Sequence, residues 1–475
     1  MDRSRPPIIQ GGMGVAVSSW RLANAVARAG QMGVVSGTAL DGVVARTLQD
    51  GDPGGHVRRA LAHFPSRAIA QRVLDTYFLD GGRRPGQPYR PHPTLTISPS
   101  RPAVELALAG NFAEVWLAKE GHDGVVGINF LEKIQTATLS ATLGAMLAGV
   151  DYVLMGAGIP KEMPRVITEF AAGRTGRLTI EVADQTKVHV AELDPVAHLG
   201  DELPELTRPD FIAIISLHVL GGYLARDPEI RPDGFVVEGP VAGGHSAPPR
   251  GKFGLDEDGQ PIYSPKDEAD IAKMVDLGLP FWLAGAWSTP ERVAAAQASG
   301  AQGVQCGTVF ALASESGLSD ELRAKLLADL EAGTLVVRND PRASPTGFPF
   351  KVAQVEGTLS QPEVYAERPR ICDLGYLRAP AERPDGSIVY RCASEPVHMY
   401  ERKGGDVADT VGRKCLCNAL FANIGMPQVR KSGYVEEPAL TLGQDLTAAH
   451  ALLARYPDGW SAPQIIDWLL SDVAA

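Results

Sequence analysis

Residues 234–250 read Gly-Phe-Val-Val-Glu-Gly-Pro-Val-Ala-Gly-Gly-His-Ser-Ala-Pro-Pro-Arg, and the way this stretch changes character decides the fold. Phe235 to Glu238 is a short β-branched and aromatic run of the kind that a buried strand uses. Beyond it, Gly243-Gly244 lets the backbone come close to a flat ligand or a phosphate with no side chain in the way. His245 then sits on a loop past a strand's C-terminal end, the face of parallel α/β folds on which ligands bind. Histidine titrates nearest neutrality, so His245 is the candidate general acid or base; a solvated turn residue is the plainer alternative.

The same strand-then-glycine pattern recurs in both directions. Pro7 to Gln10 closes on Gly11-Gly12-Met13-Gly14, and Trp20, Leu22, Ala23, Val26 and Ala27 then repeat at helical spacing behind Ser19 as N-cap. Further strands are expected at Gly33 to Ser36, Val125 to Phe130, Tyr152 to Met155 (running into Gly156-Ala157-Gly158), Phe211 to Leu217, Pro280 to Ala284 and Gly303 to Cys306. Nearly every one is followed by a helical pattern, including a helix expected to begin at Asp267. Eight alternating β/α units predict an α/β fold, a closed TIM (β/α)8 barrel, with a doubly wound open sheet as the alternative that periodicity cannot separate. Leu178 to Leu193 alternates polar and apolar residues and is expected to be a half-exposed hairpin outside the barrel. Near residue 340 the β/α alternation stops in a Pro/Gly/Ser-rich stretch. The expected organisation is therefore a catalytic barrel over 1–339 and a smaller, loop-rich, cysteine-containing domain over 340–475.

Bulk properties exclude several classes of function. The chain has 475 residues and a net charge of −11, which argues against a nucleic-acid partner, since that needs a basic footprint. No apolar run reaches the roughly 18 residues of a membrane span, and no basic-then-apolar leader opens the chain, so no membrane association and a cytoplasmic location are expected. Five cysteines, an odd number, fit a reducing compartment better than a disulfide framework.

Gly285-Ala286 and Gly307-Thr308 follow the last two strands, where barrels commonly bind a phosphate, and the second pair offers backbone N–H groups just before a helix. A barrel with one phosphate there, a glycine-rich rim and no dinucleotide fingerprint suits a mononucleotide such as FMN. On the residues Pro7 to Gly14, Gly127-Ile128-Asn129, Gly156-Ala157-Gly158, Glu238-Gly239, Ala242 to His245, Ala284-Gly285 and Gln305 to Thr308, the chain resembles the nitronate monooxygenases, formerly 2-nitropropane dioxygenases. It is similar through the same motifs to their relatives, the flavin-dependent enoyl-ACP reductases, including trans-acting reductases of polyketide and polyunsaturated fatty-acid synthases.

The resemblance spans roughly residues 6–330 and implies FMN in a TIM barrel. It implies Gly12 and Met13 beside the flavin ring, Asn129 and Glu238 on flavin or ribityl atoms, and Gly243 and Gly244 at the flavin. It further implies Gly285, Ala286, Gln305, Cys306, Gly307 and Thr308 around the phosphate, and His245 as the catalytic histidine. The chain departs from the pattern at Glu238, where nitronate monooxygenases usually carry Gln and the enoyl reductases Glu. It departs again at Ala286, in place of a second glycine, and in the long segment from Ser246 to Lys266, a candidate lid.

The resemblance implies a nitronate monooxygenase-type reaction that uses O2 and yields a carbonyl compound and nitrite. The alternatives are an NAD(P)H-dependent enoyl-thioester reductase, working with an acyl carrier protein in trans, and a flavin-holding subunit whose tail recruits another protein. The oligomeric state, a homo-oligomer included, stays open. Met13, Asn129 and Lys133 have plain readings as a packing, a turn and a solvated residue, Cys306 reads as an inert core thiol, and Ser216 and His218 are minor candidates to face the ring. Cys372, Cys392, Cys415 and Cys417 match in number a tetrahedral structural zinc site, although their Cys-x-Cys ending is unlike the usual knuckle spacing; reduced, unlinked thiols are the alternative.

Overall fold

The computed structural model describes residues 5–471. Eight apolar runs pair in parallel and close on themselves: β1 (Ile8–Gln10), β2 (Met32–Ser36), β3 (Val126–Leu131), β4 (Tyr152–Gly156), β5 (Asp210–Ile215), β6 (Gly234–Glu238), β7 (Phe281–Ala284) and β8 (Gly303–Cys306). Each pairs with its neighbour in chain order, and Ile8 opposite Val304 closes the ring. The open-sheet alternative is thereby set aside.

Alternation along the strands sorts side chains into two layers. Ile9, Val34, Leu154, Val236 and Trp282 fill the barrel interior, while Ile8, Val35, Val153, Phe235 and Leu283 face the surrounding helices. Both faces are therefore apolar, which explains why the strands read as continuous hydrophobic runs. Trp282 is fully buried yet satisfied, its Nε1 donating to the Pro6 carbonyl at 2.9 Å.

The stretch with alternating polarity forms an antiparallel hairpin outside the barrel, Gly176–Ile180 against His189–Leu193, as expected. Asp267 does not begin a helix. It ends a single 3-10 turn, Pro265–Asp267, where its carboxylate and Ser264 satisfy each other's backbone amides, and Glu268 then turns extended. The helix Ile271–Val275 starts later, capped by Asp270. One residue pair can cap a turn without supplying the apolar face that would prolong it.

The hairpin Val336–Asp340 with Phe350–Gln354 runs across residue 340. Beyond it, Phe421, Leu452, Trp460 and Ile465 are buried in the same core as the barrel's helices. The Arg46 guanidinium stacks on the Phe421 ring at 4.2 Å and donates to the Met426 carbonyl, a further tie between barrel and tail. Among the described residues no helix is long and apolar enough to cross a membrane.

Candidate active site

The C-terminal ends of the strands bring the glycine-bearing loops to one mouth, and close approach there is literal. A Cβ on Gly12 would lie 2.4 Å from Asn129 Cβ, and one on Gly243 would lie 2.9 Å from the Leu442 carbonyl carbon. Gly285 and Ala286 both adopt left-handed backbone, φ 82° and 65°, so alanine stands where a glycine would be unstrained. Between these loops lies a cleft of about 160 Å³ lined by Gly12, Met13, Glu238, Gly243, Gly244, Gly285, Ala286, Gln305, Gly307 and Thr308. A neighbouring cavity, also about 160 Å³, adds Asn129 and His245.

Of the residues expected around the cofactor, one stays outside. Cys306 is fully buried, lines none of the five cavities at the mouth, and has its thiol pushed up to about 12 by burial. It packs in the core, as the plain reading expects. Ser216 reaches the mouth, whereas His218 does not; its Nδ1 accepts from Asp270 N at 3.0 Å. Lys133 is not simply solvated. Its Nζ lies 3.2 Å from Glu132 and 5.2 Å from the centre of the Phe348 ring, in the wall of a cavity of about 540 Å³ that reaches His245 and Glu238.

Among the described residues, Asn129 Oδ1 and Gln305 Oε1 are buried with no hydrogen-bond partner. Buried amide oxygens are seldom left so in a finished protein, and both lie beside the cleft. His245 is pushed down to about 4, first by burial and then by the Lys133 ammonium, so its imidazole is neutral at neutral pH. Its Nε2 shares a 2.7 Å hydrogen bond with Ser344 Oγ, and the Phe350 ring packs edge-on at 4.8 Å. Glu238 lines all five cavities and is pushed up to about 7 by burial, an effect that the Lys351 ammonium opposes. Lys351 in turn is pushed down to about 8 by burial.

Ser344, Phe348, Phe350 and Lys351 were not found from the sequence. All lie past residue 340, where the loss of β/α alternation directs attention away from the barrel. A signal existed: Phe350-Lys351-Val352 places one lysine within an apolar strand, which requires a buried partner. Thr441 to Gly443 were missed as well. Gly443 N donates to Thr308 Oγ1 at 2.9 Å and Gly244 N to Thr441 Oγ1 at 2.9 Å, so a tail loop lies over the expected phosphate end of the cleft.

The zinc expectation is corrected. Among the described residues no group of three or more His, Cys, Asp or Glu side chains is placed to hold a metal ion. Cys372 Sγ instead accepts from the Arg378 guanidinium at 3.3 Å. Cys392 shares a 3.1 Å hydrogen bond with Ser394 Oγ, and burial raises the thiols of Cys415 and Cys417.

Comparison with known proteins adds the following. FabK from Thermotoga maritima aligns with TM-score 0.49 and 15% identity over 99% of this chain and 93% of its own. Nitroalkane oxidase from Streptomyces ansochromogenes aligns with TM-score 0.47 and 14% identity over 99% of this chain and 96% of its own. The enoyl reductase domain of MlnA from Bacillus amyloliquefaciens aligns with TM-score 0.38 and 11% identity over 74% and 64%. Among curated proteins none matches by sequence. Residues 169–351 match the family model described as nitronate monooxygenase, a stretch that runs from the outer hairpin through His245 to Lys351. With that match the resemblance of the chain to the nitronate monooxygenase family is borne out over residues 169–351, and the coarse reading that it supports is an oxidoreductase.

Proposed function

We propose that the protein is an FMN-dependent oxidoreductase that converts an alkyl nitronate, with O2, to a carbonyl compound and nitrite. The observation that carries this reading is a neutral histidine facing the same glycine-lined mouth as two orphaned amide oxygens, those of Asn129 and Gln305. A flavin ring edge presents both N–H and carbonyl groups, which suits amide side chains left without partners. The residues present therefore fit the group. Gly12, Met13, Asn129, Glu238, Gly243 and Gly244 would hold its ring and ribityl chain, and Gly285, Ala286, Gln305, Gly307 and Thr308 its phosphate. When bound, FMN supplies the electron acceptor.

The chain's own residues do the rest. Ser344 occupies His245 Nε2, and no other hydrogen bond to that ring is present among the described residues, so Nδ1 is left to meet the substrate. Because burial keeps the imidazole neutral, Nδ1 accepts a hydrogen bond, or the α-proton of a nitroalkane when the neutral form enters. Lys133 favours an anionic substrate in the cavity that it shares with His245. Ile159, Leu220 and Phe348 give that cavity an apolar wall for an alkyl chain.

A second reading is favoured by Glu238. An acid at this position resembles the enoyl reductases, so an NAD(P)H-dependent reduction of an enoyl thioester delivered by an acyl carrier protein is the competing reaction. Anaerobic absorbance spectra of the FMN-loaded protein separate the two. Bleaching of the flavin band by an alkyl nitronate alone is expected; bleaching by NADPH alone would move the protein to the reductases, and failure to bind FMN would overturn both.

A further inference from the structure

The tail crosses the barrel mouth at residues 441–445, and there it becomes part of the cleft itself. Gly244 N donates to Thr441 Oγ1, Gly443 N to Thr308 Oγ1 and Gln444 N to the Val241 carbonyl, each at 2.9 Å. The strap fits closely: a Cβ on Gly443 would lie 3.1 Å from Thr308 Oγ1 and 3.3 Å from the Val241 carbonyl oxygen. Thr441, Leu442, Gly443, Asp445, Ala448 and Ala449 therefore line the cleft together with the glycine-rich rim.

Arg292 meets the end of this strap. It is the one cation among the described residues that line the cleft, a lining it shares with Gly285, Ala286, Gly307 and Thr308. It stands in the first turn of the helix Pro290–Ala298, where the helix dipole opposes a cation unless an anion accompanies it. Asp445 of the strap is one such anion, its Oδ2 at 2.7 Å from Arg292 Nη1. The same Nη1 donates to the carbonyl of Ala286, the residue that holds left-handed backbone in place of a glycine. Nε and Nη2 make no hydrogen bond among the described residues, so one edge of the guanidinium fork stays open. A phosphate fits that edge, because two parallel N–H groups meet two of its oxygens.

We propose that Arg292 is a further cofactor-binding residue, the cation for the phosphate of FMN, and that Asp445 is its positioning residue, so that the tail strap completes the cofactor site. The inference rests on reading the cleft as an FMN site. Charge decides the assignment: apart from Arg292, the ionisable side chains lining the cleft are two acids, Glu238 and Asp445, and a phosphate dianion placed there without a cation would be uncompensated. Asp445 grips the guanidinium through Nη1 and leaves the Nε and Nη2 edge to the ligand. Thr308 Oγ1, which accepts from the strap, keeps its own O–H to donate elsewhere.

Riboflavin, which is FMN without its phosphate, separates this role from a merely structural one. Binding of FMN and of riboflavin to the full-length protein is titrated by flavin fluorescence for wild type, Arg292→Gln and Asp445→Asn. Arg292→Gln is expected to weaken FMN binding about 10–100-fold, the scale of a charged hydrogen bond, and to leave riboflavin binding within about twofold. Asp445→Asn is expected to weaken FMN binding by less, again sparing riboflavin. Equal losses for the two flavins in Arg292→Gln, or no loss, overturn the assignment of Arg292. Unchanged or tighter FMN binding by Asp445→Asn overturns the positioning role.

Should Arg292→Gln fail to fold, Arg292→Lys carries the test, since it keeps the charge and loses the planar fork. FMN binding weakened relative to riboflavin supports the assignment, and an unchanged ratio overturns it. Wild type that binds neither flavin would overturn the FMN reading and this inference with it. Wild type that binds the two flavins equally would overturn this inference alone, because the phosphate would then contribute nothing.

Discussion

Two buried clusters of charge in this chain are built on opposite terms. In the tail, Arg368 holds Glu436 through two parallel bonds of 2.7 and 3.0 Å, Arg430 bonds both Glu436 and Asp373, and Asn418 donates to Asp373 at 2.7 Å. Every charge there has an opposite charge in direct contact. At the barrel mouth, burial pushes Glu238 up and Lys351 down, each toward its neutral form, His245 is held neutral, and the amide oxygens of Asn129 and Gln305 have no partner among the described residues. The first arrangement pairs its charges directly, although Asn418 Oδ1 there is also without a partner among the described residues, while the second sets its unpartnered amide oxygens beside a cavity. That difference locates the chemistry better than burial or charge does, since both clusters are buried and charged.

The contrast can be broken at several points. His245→Ala at the mouth is expected to lower kcat/KM for the productive substrate by about 10²–10⁴-fold, the usual scale for removing a proton-handling group, while FMN absorbance is retained. Steady-state kinetics beside a spectrum of the loaded variant would check this, and loss of the spectrum would show that His245 holds the cofactor instead. Arg368→Ala in the tail leaves a fully buried Glu436 with Arg430 as its remaining charged partner and is expected to cost about 1.5–3 kcal/mol in denaturant unfolding. A loss below about 1 kcal/mol would mean that the tail cluster is no more than surface-like pairing.

Gly243→Ala joins the two regions, because its Cβ would meet the Leu442 backbone at 2.9 Å. Something must shift there, and overpacking of this kind costs about 1–3 kcal/mol. Thermal unfolding gives the cost, and FMN titration tells whether the loop over the cleft has moved.

Two groups at the mouth respond to pH with opposite signs. An unfolded histidine takes up a proton near 6.5, whereas folded His245 refuses it down to about 4. The unfolded state therefore binds more protons in that window, and stability falls as pH drops from 6.5 to 4. Folded Glu238 keeps its proton up to about 7 against an ordinary 4.5, so its share of stability is lost as pH rises between those values. Asp373, depressed by the Arg430 guanidinium, contributes stability above its ordinary 3.8 that is lost only in stronger acid. Unfolding free energies from pH 4 to 8 should accordingly lose their acid-side slope in His245→Ala and their neutral-side slope in Glu238→Gln. Unchanged slopes would remove the electrostatic distinction between mouth and tail. The smallest effect is expected from a metal chelator, which should leave the melting temperature of the tail unaltered; a marked drop would restore a metal to the cysteines.

Much of the barrel was readable because its signals are local. A strand buried on both faces has to be apolar throughout, and a turn that packs backbone against a neighbour has to be glycine, as at Gly12 and Gly243. Asn129, Glu238, His245, Gln305 and Thr308 all fell on strand ends for that reason, and all reach the mouth. Cys306 was drawn in only by adjacency: alternation points its side chain outward while Gln305 faces the cleft. The short helix after Asp267 was misplaced because a capping pair marks a turn without stating its length.

The amino-acid sequence by itself determined the eight β/α units, the glycine-rich rim and His245 at its centre, since each depends on residues within a few positions of one another. The tertiary structure decided what surrounds them. Ser344, Phe350, Lys351 and Thr441 come to the mouth across about a hundred to two hundred residues of chain, at separations such as |i−j| 105 for Lys351 with Ser246 and 197 for Gly244 with Thr441. The protonation of Glu238 and His245 follows from that burial, because desolvation depends on which atoms arrive and not on which residue is next.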